Sequence, residues 1–149
     1  MKEIVSIPTF PGYYADRQGN IYSVTSVKKI PLDKTERIEA EKNGTVYKSD
    51  EHGNFKIHKL KPKDNGFGYL QVTLKQGNRY RMMYVSRLVL MTFDKGRAMD
   101  SKTEQTDHIN EDTHDNRLTN LQVVTPRENV LLSQKKKVKT DITKPTDIF

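Results

Sequence analysis

The stretch Asp107-His108-Ile109-Asn110, continued by Asn116-Arg117-Leu118-Thr119-Asn120-Leu121-Gln122-Val123-Val124-Thr125-Pro126-Arg127-Glu128-Asn129, decides how this chain is read. Thr106 to Ile109 has the composition of a short strand. Asn110 to Asn120 is rich in Asn and Asp, as loops are. Leu121-Gln122-Val123-Val124 is again a strand. Thr125 then suits an N-cap, Pro126 the first helical position, and Glu128 completes a T-x-x-E capping box, so a helix is predicted to run to about Lys135. The order is strand, loop, strand, helix. His108 and Asn120 lie 12 positions apart, and His108 and Asn129 lie 21 apart. A hairpin followed by a packed helix can bring all three together.

Working upstream, Val85, Leu88, Val89, Thr92 and Phe93 fall at i, i+3, i+4, i+7 and i+8. That is one helical face, and it reads as core. Before it, Tyr69 to Leu74 and Arg79 to Tyr84 flank the turn Gln76-Gly77-Asn78 and predict a hairpin. Phe55 to Leu60 alternates with period two and predicts a strand. Ile4 to Val24, broken at Gly12 and at Gly19-Asn20, predicts a small antiparallel meander. Lys28 to Asp50 is polar, of mixed charge and poor periodicity. It reads as a surface excursion with a short strand near Thr45 to Tyr47. Asp94 to Gln105 reads as a polar connector, and the residues after Lys139 as a loosely held tail.

Composition narrows the function. The chain has 149 residues and no cysteine, which removes disulfides, Cys-ligated zinc, iron–sulfur clusters and a thiol nucleophile. Met1 to Phe10 lacks the pattern of a signal peptide, and no apolar stretch is long enough to span a bilayer. The expectation is a cytoplasmic protein with no membrane partner, in the host-cell cytoplasm if phage-encoded. The net charge is +7, and a basic excess favours polyanions through phosphate contacts and counterion release. Nothing resembles an RNA-recognition motif with paired aromatics.

The Asp-His pair, the eleven-residue loop, Asn-Leu, the β-branched pair, Thr and the helical Asn together resemble the HNH endonuclease family. The similarity is greatest to phage and intron homing enzymes with Asn in the final position. Gly68 to Leu74 and Ser86-Arg87-Leu88-Val89 resemble the strand and helix ahead of that core, and Ile7 to Val24 resembles a small N-terminal module often found there. The resemblance implies an α+β fold: a ββα-metal (HNH) catalytic core preceded by a small antiparallel β-sheet module. The expected division is a β-rich module with an insertion at 1–65, an HNH nuclease domain at 66–137 and a tail at 138–149.

The resemblance also implies an activity. Phosphodiester hydrolysis needs an activated water, charge compensation on the phosphate and a stabilised leaving oxygen. Imidazole is a suitable general base near neutral pH. In the family's pattern the base follows an acidic metal ligand, which assigns the base to His108 and a metal-binding carboxylate to Asp107. Asn129 would add an amide oxygen to an oxygen-rich shell suited to one Mg²⁺ or Mn²⁺ per active site. Asn120 would orient the loop and the His108 ring. The products would carry 5′-phosphate and 3′-hydroxyl ends. Departures from the pattern are Asp112 and His114 in the loop, Ser86 where His is frequent, and Lys28 to Lys48, which looks like an insertion. No C-terminal helix-turn-helix reader is expected in the short stretch after the HNH helix.

Double-stranded DNA is the expected partner. Arg79 and Arg81 alternate on a strand and share a face, which would serve phosphate contacts or simply solvate a sheet. Arg87 has the same two readings on a helix. Arg117 and Arg127, close to the proposed site, are better candidates for holding phosphate. Lys135, Lys136 and Lys137 would track the backbone or keep the tail soluble. The competing class is a binding module that keeps the HNH fold and DNA affinity without cleavage. A monomer would nick, whereas a homodimer could break both strands.

Overall fold

The computed structural model describes residues 3–30, 33–93 and 105–125, together with residues 127, 128, 130, 131 and 134. Among the described residues, three antiparallel sheets and the α-helices at Lys34–Lys42 and Val85–Phe93, with helical residues after the last strand, make an α+β fold. The first sheet has the strand order β1 (Val5–Ser6), β2 (Tyr13–Ala15), β3 (Ile21–Val27), β5 (Gly53–Lys59) and β4 (Thr45–Asp50). The predicted meander is its β1–β2–β3 edge. Tyr22 to Val27 then pair with Lys59 to Asn54, so the Phe55 to Leu60 alternation becomes a central strand.

The polar excursion holds more order than its sequence suggested. Helix α1 spans Lys34–Lys42 and buries none of its residues. Its stability is local: the Asp33 side chain accepts from the Glu36 backbone N–H at 2.8 Å, and Glu36 Oε2 accepts from the Asp33 N–H at 3.3 Å. A helix without an apolar stripe leaves no 3.6-residue periodicity to detect. The short strand expected near Thr45 is the start of β4, which pairs with β5 from Thr45↔His58 to Asp50↔Gly53.

The second sheet joins β6 (Lys63–Asp64), β7 (Leu70–Gln76) and β8 (Arg79–Tyr84). The hairpin turn falls at Gly77-Asn78, with Gly77 at φ +63°. The chain passes directly from β8 into α2 (Val85–Phe93), in which six of nine residues are buried. The third sheet is the hairpin β9 (Gln105–His108) and β10 (Leu121–Val124), with His108 opposite Leu121 and Asp107 opposite Gln122. Residues 127, 128, 130, 131 and 134 are helical. The predicted capping box at the head of this segment is formed: Thr125 N–H donates to Glu128 Oε2 at 3.1 Å, and Glu128 N–H donates to Thr125 Oγ1 at 3.2 Å.

One apolar cluster joins the sheets. Ile7, Phe10, Ala15 and Ile21 from the N-terminal sheet pack with Val72 and Leu74 of β7, with Leu88 to Met91 of α2 and with Leu121 of β10. The N-terminal sheet and the β9–β10 hairpin are therefore built on a common core around α2. Polar ties reinforce it: Lys75 N–H donates to the Tyr13 hydroxyl at 3.0 Å, and Gln76 Nε2 donates to the Thr9 carbonyl at 2.6 Å. Among the described residues, no helix is long and apolar enough to cross a membrane.

Candidate active site

The β9–β10 hairpin carries an unusual load of buried polar side chains. Asp107, His108, Asn116 and Asn120 are all buried. Burying such groups costs free energy unless each finds a partner, and no buried side-chain nitrogen or oxygen among the described residues lacks one. Asp107 Oδ2 accepts from Gln122 Nε2 at 2.7 Å, directly across the hairpin. His108 Nε2 lies 2.9 Å from Asn116 Oδ1. An amide oxygen only accepts, so with the Asn116 amide in this orientation the bond takes Nε2–H as its donor.

Asn120 organises the loop. Its Oδ1 accepts from the Asn110 N–H at 2.9 Å, and its Nδ2 donates to Asn110 Oδ1 at 2.9 Å and to the Asp115 carbonyl at 2.8 Å. Three bonds from one side chain tie both ends of the connection between β9 and β10. A hydrogen bond to the His108 ring comes from Asn116, a residue that sequence reasoning did not single out. Its only signal was membership of an Asn-rich loop. Glu111 adopts φ +67° where the chain leaves the hairpin, and its N–H donates to the His108 carbonyl at 3.0 Å.

The loop is held from outside as well. His114 Nε2 meets Asp64 Oδ2 at 2.7 Å, and Thr113 Oγ1 donates to the Gly68 carbonyl at 2.5 Å, so the β6–β7 turn braces one flank. The His114 bond, with backbone N–H groups of Gly68 and Gly66, holds the Asp64 carboxyl below its usual range. Inside the loop, Asp115 accepts from Arg117 Nε at 2.8 Å and Nη2 at 2.7 Å. This fork lowers the Asp115 pKa strongly and raises that of Arg117.

His108 opens onto a cleft of about 230 Å³ lined by Tyr69, Tyr84, Ser86, Arg87 and Thr106. Tyr69 stands beside the imidazole, with ring centroids 6.2 Å apart, and meets Tyr84 edge-on at 6.0 Å. Tyr84 and Arg87 also line a second cleft with Arg81 and Met83. Two of the arginines expected to meet phosphate, Arg81 and Arg87, thus lie along one track that ends at His108. Arg79 begins β8 and is exposed, lining neither cleft. Arg117 is committed to Asp115, and Arg127 is helical and exposed. Asn129, Lys135, Lys136 and Lys137 lie outside the described residues.

Residues 84–131 match the family model described as HNH endonuclease. The chain carries an HNH-family domain. It begins at the end of β8 and takes in α2, the hairpin and the helical residues that follow. A solved structure titled for DNA binding and cleavage by the HNH homing endonuclease I-HmuI superposes with a TM-score of 0.60 at 20% identity. The alignment covers 91% of this chain and 59% of the other, so the chain spans little more than half the length of that neighbour. At this identity the likeness is one of fold, and it extends well upstream of the HNH domain. No curated protein matches the sequence.

Proposed function

We propose that the protein is a divalent-metal-dependent DNA endonuclease of the homing or phage type. The observation that carries this reading is the buried Asp107–His108 pair on an HNH-family hairpin, with the imidazole oriented by Asn116 and facing an arginine-lined cleft.

In this reading His108 takes a proton from the attacking water at Nδ1, the nitrogen that carries the lone pair when Nε2–H is held by Asn116. Asn120 keeps the loop, and so the ring's support, from rearranging as DNA docks. Arg81 and Arg87 bind phosphates along the track. Tyr69 and Tyr84 wall the cleft and limit water around the ring.

The donor chemistry fits a hard cation. Among the described residues, no three His, Cys, Asp or Glu side chains form a closed cage. A single carboxylate from Asp107, with an amide oxygen from Asn129 if that side chain joins it, would leave positions for substrate phosphate and water, as Mg²⁺ or Mn²⁺ sites on phosphate chemistry do. When bound, the ion would supply charge neutralisation on the phosphate and on the departing 3′ oxygen.

The test is incubation of supercoiled plasmid, including DNA of the source genome, with Mg²⁺ or Mn²⁺ and with EDTA, beside a gel-shift assay on the same DNA. Metal-dependent nicked or linear product with 5′-phosphate ends is expected. Nicked product preceding linear would indicate a monomer cutting one strand at a time. Tight DNA binding with no cleavage under any metal would replace this reading with that of a binding module.

A further inference from the structure

The turn between β2 and β3 is built more firmly than a surface connection requires. Asp16 is almost completely enclosed, at 1% exposure. Its carboxylate accepts from the backbone N–H groups of Gln18 and Asn20 at 2.9 Å, from Asn20 Nδ2 at 3.0 Å and from the Tyr22 hydroxyl at 2.9 Å. Burial pushes this carboxyl up, but the bonds from Asn20, Tyr22 and Gln18 outweigh burial and leave it below its usual range. Burial and the neighbouring Asp16 push the Tyr22 phenol up to about 12.

This knotted turn presses on the HNH loop at the residue that holds the imidazole. Gly19 has φ +90°, and a Cβ added there would lie 2.7 Å from the Asn116 carbonyl oxygen, 2.8 Å from its carbonyl carbon and 3.0 Å from its Cβ. Two residues earlier, the Arg17 carbonyl accepts from the Leu118 N–H at 2.9 Å. The Arg17 guanidinium sits 4.9 Å over the ring of Phe93 at the end of α2. Asn116 is thus fixed from the N-terminal side while its Oδ1 meets His108 Nε2.

We propose that the Asp16–Asn20 turn of the N-terminal sheet is a positioning device for His108, acting through the backbone of Asn116 to set the ring's orientation and its Nε2–H tautomer. The proposal builds on the reading of His108 as the base. Gly19 and Asn116 are positioning residues in it. The N-terminal sheet then contributes to the chemical step without touching the substrate there, and a displacement of the ring by a fraction of an ångström to an ångström would lower turnover rather than DNA affinity.

Two glycine substitutions isolate this contact from backbone strain. Gly19→Ala and Gly53→Ala both force alanine into positive φ in the same sheet, but a Cβ on Gly53 meets nothing within 4 Å. The first readout is the His108 imidazole ¹⁵N shifts of the full-length, metal-free protein at about pH 8.5, where an ordinary imidazole is neutral. Wild type and Gly53→Ala should show the Nε2–H form, and Gly19→Ala a mixture. The second is cleavage, where Gly19→Ala should lower kcat roughly 10- to 100-fold with KM for DNA within about 2-fold. Should Gly19→Ala fail to fold, Asp16→Asn, which loosens the turn without adding bulk, takes its place with the same expected direction. A wild-type ring in the Nδ1–H form would overturn the proposal. So would a folded Gly19→Ala or Asp16→Asn with wild-type tautomer and kcat. Because the shifts are read without metal or DNA, a failure of the nuclease reading leaves the positioning result intact and separately readable.

Discussion

The hairpins β4–β5 and β9–β10 are both antiparallel, yet they invest differently. β4–β5 pairs along six positions through a tight turn at Glu51-His52, and only Thr45 and Ile57 of its strands are buried. β9–β10 pairs along four positions and is interrupted by a long loop. It nevertheless buries Asp107 and His108 in the strand and Asn116 and Asn120 in the loop. The first hairpin holds itself together by its ladder. The second is held by side-chain amides and by two neighbouring turns, Asp16–Asn20 and Asp64–Gly68. Buried, fully partnered polar groups are a costly way to close a loop. Their concentration at one hairpin marks where orientation matters more than stability.

The largest structural effect that would break this contrast is expected at Asn120. Asn120→Ala removes three hydrogen bonds and leaves the Asn110 N–H and the Asp115 carbonyl without that partner. A loss of about 2–3 kcal/mol is expected in urea unfolding, together with loss of cleavage. A neutral result would mean the loop is held from outside alone. Next come the arginines of the track. Arg81→Ala and Arg87→Ala should each lower the slope of log affinity against log salt by about 0.9. Arg117→Ala should leave that slope nearly unchanged, because its guanidinium is paired with Asp115. A full unit lost with Arg117 would show that the pair opens onto phosphate.

The Asp16 knot sharpens the comparison through pH. Its folded pKa lies below the unfolded value, so its stabilisation is complete above about pH 4 and is lost as pH falls through the folded value. The stability difference between wild type and Asp16→Asn should therefore be largest near neutrality and shrink in acid, read by thermal unfolding across pH. The smallest effect is expected on the β4 side. Asp33→Ala removes the α1 cap, worth about 1 kcal/mol to the helix itself. Since α1 buries nothing, hydrogen exchange in α1 should rise while the global unfolding midpoint hardly moves.

The HNH hairpin was legible because its signals are local: Thr125 and Glu128 announce the helix, Leu121 to Val124 the strand, and the Asp-His pair the candidate site. The stripe from Val85 to Phe93 was legible because it is buried and periodic. α1 was not, since its one signal was the Asp33/Glu36 capping box and no apolar face accompanied it. Lys63–Asp64 was too short a strand to announce itself. Asn116 escaped because a loop position has no periodicity, and its contact with His108 depends on the path of the chain between them. Gly19 reads as an ordinary turn glycine, and Asp16 as an ordinary turn acid. Their meaning arises only when distant segments meet at the loop that carries the site.

The central claim is that His108 performs the proton transfer. It is tested most directly by comparing wild type with His108→Ala on supercoiled plasmid in Mg²⁺ or Mn²⁺, with folding checked by circular dichroism. The account predicts a cleavage rate lower by roughly 10²- to 10⁴-fold in a protein that remains folded and still binds DNA. Cleavage by folded His108→Ala at the wild-type rate would contradict it.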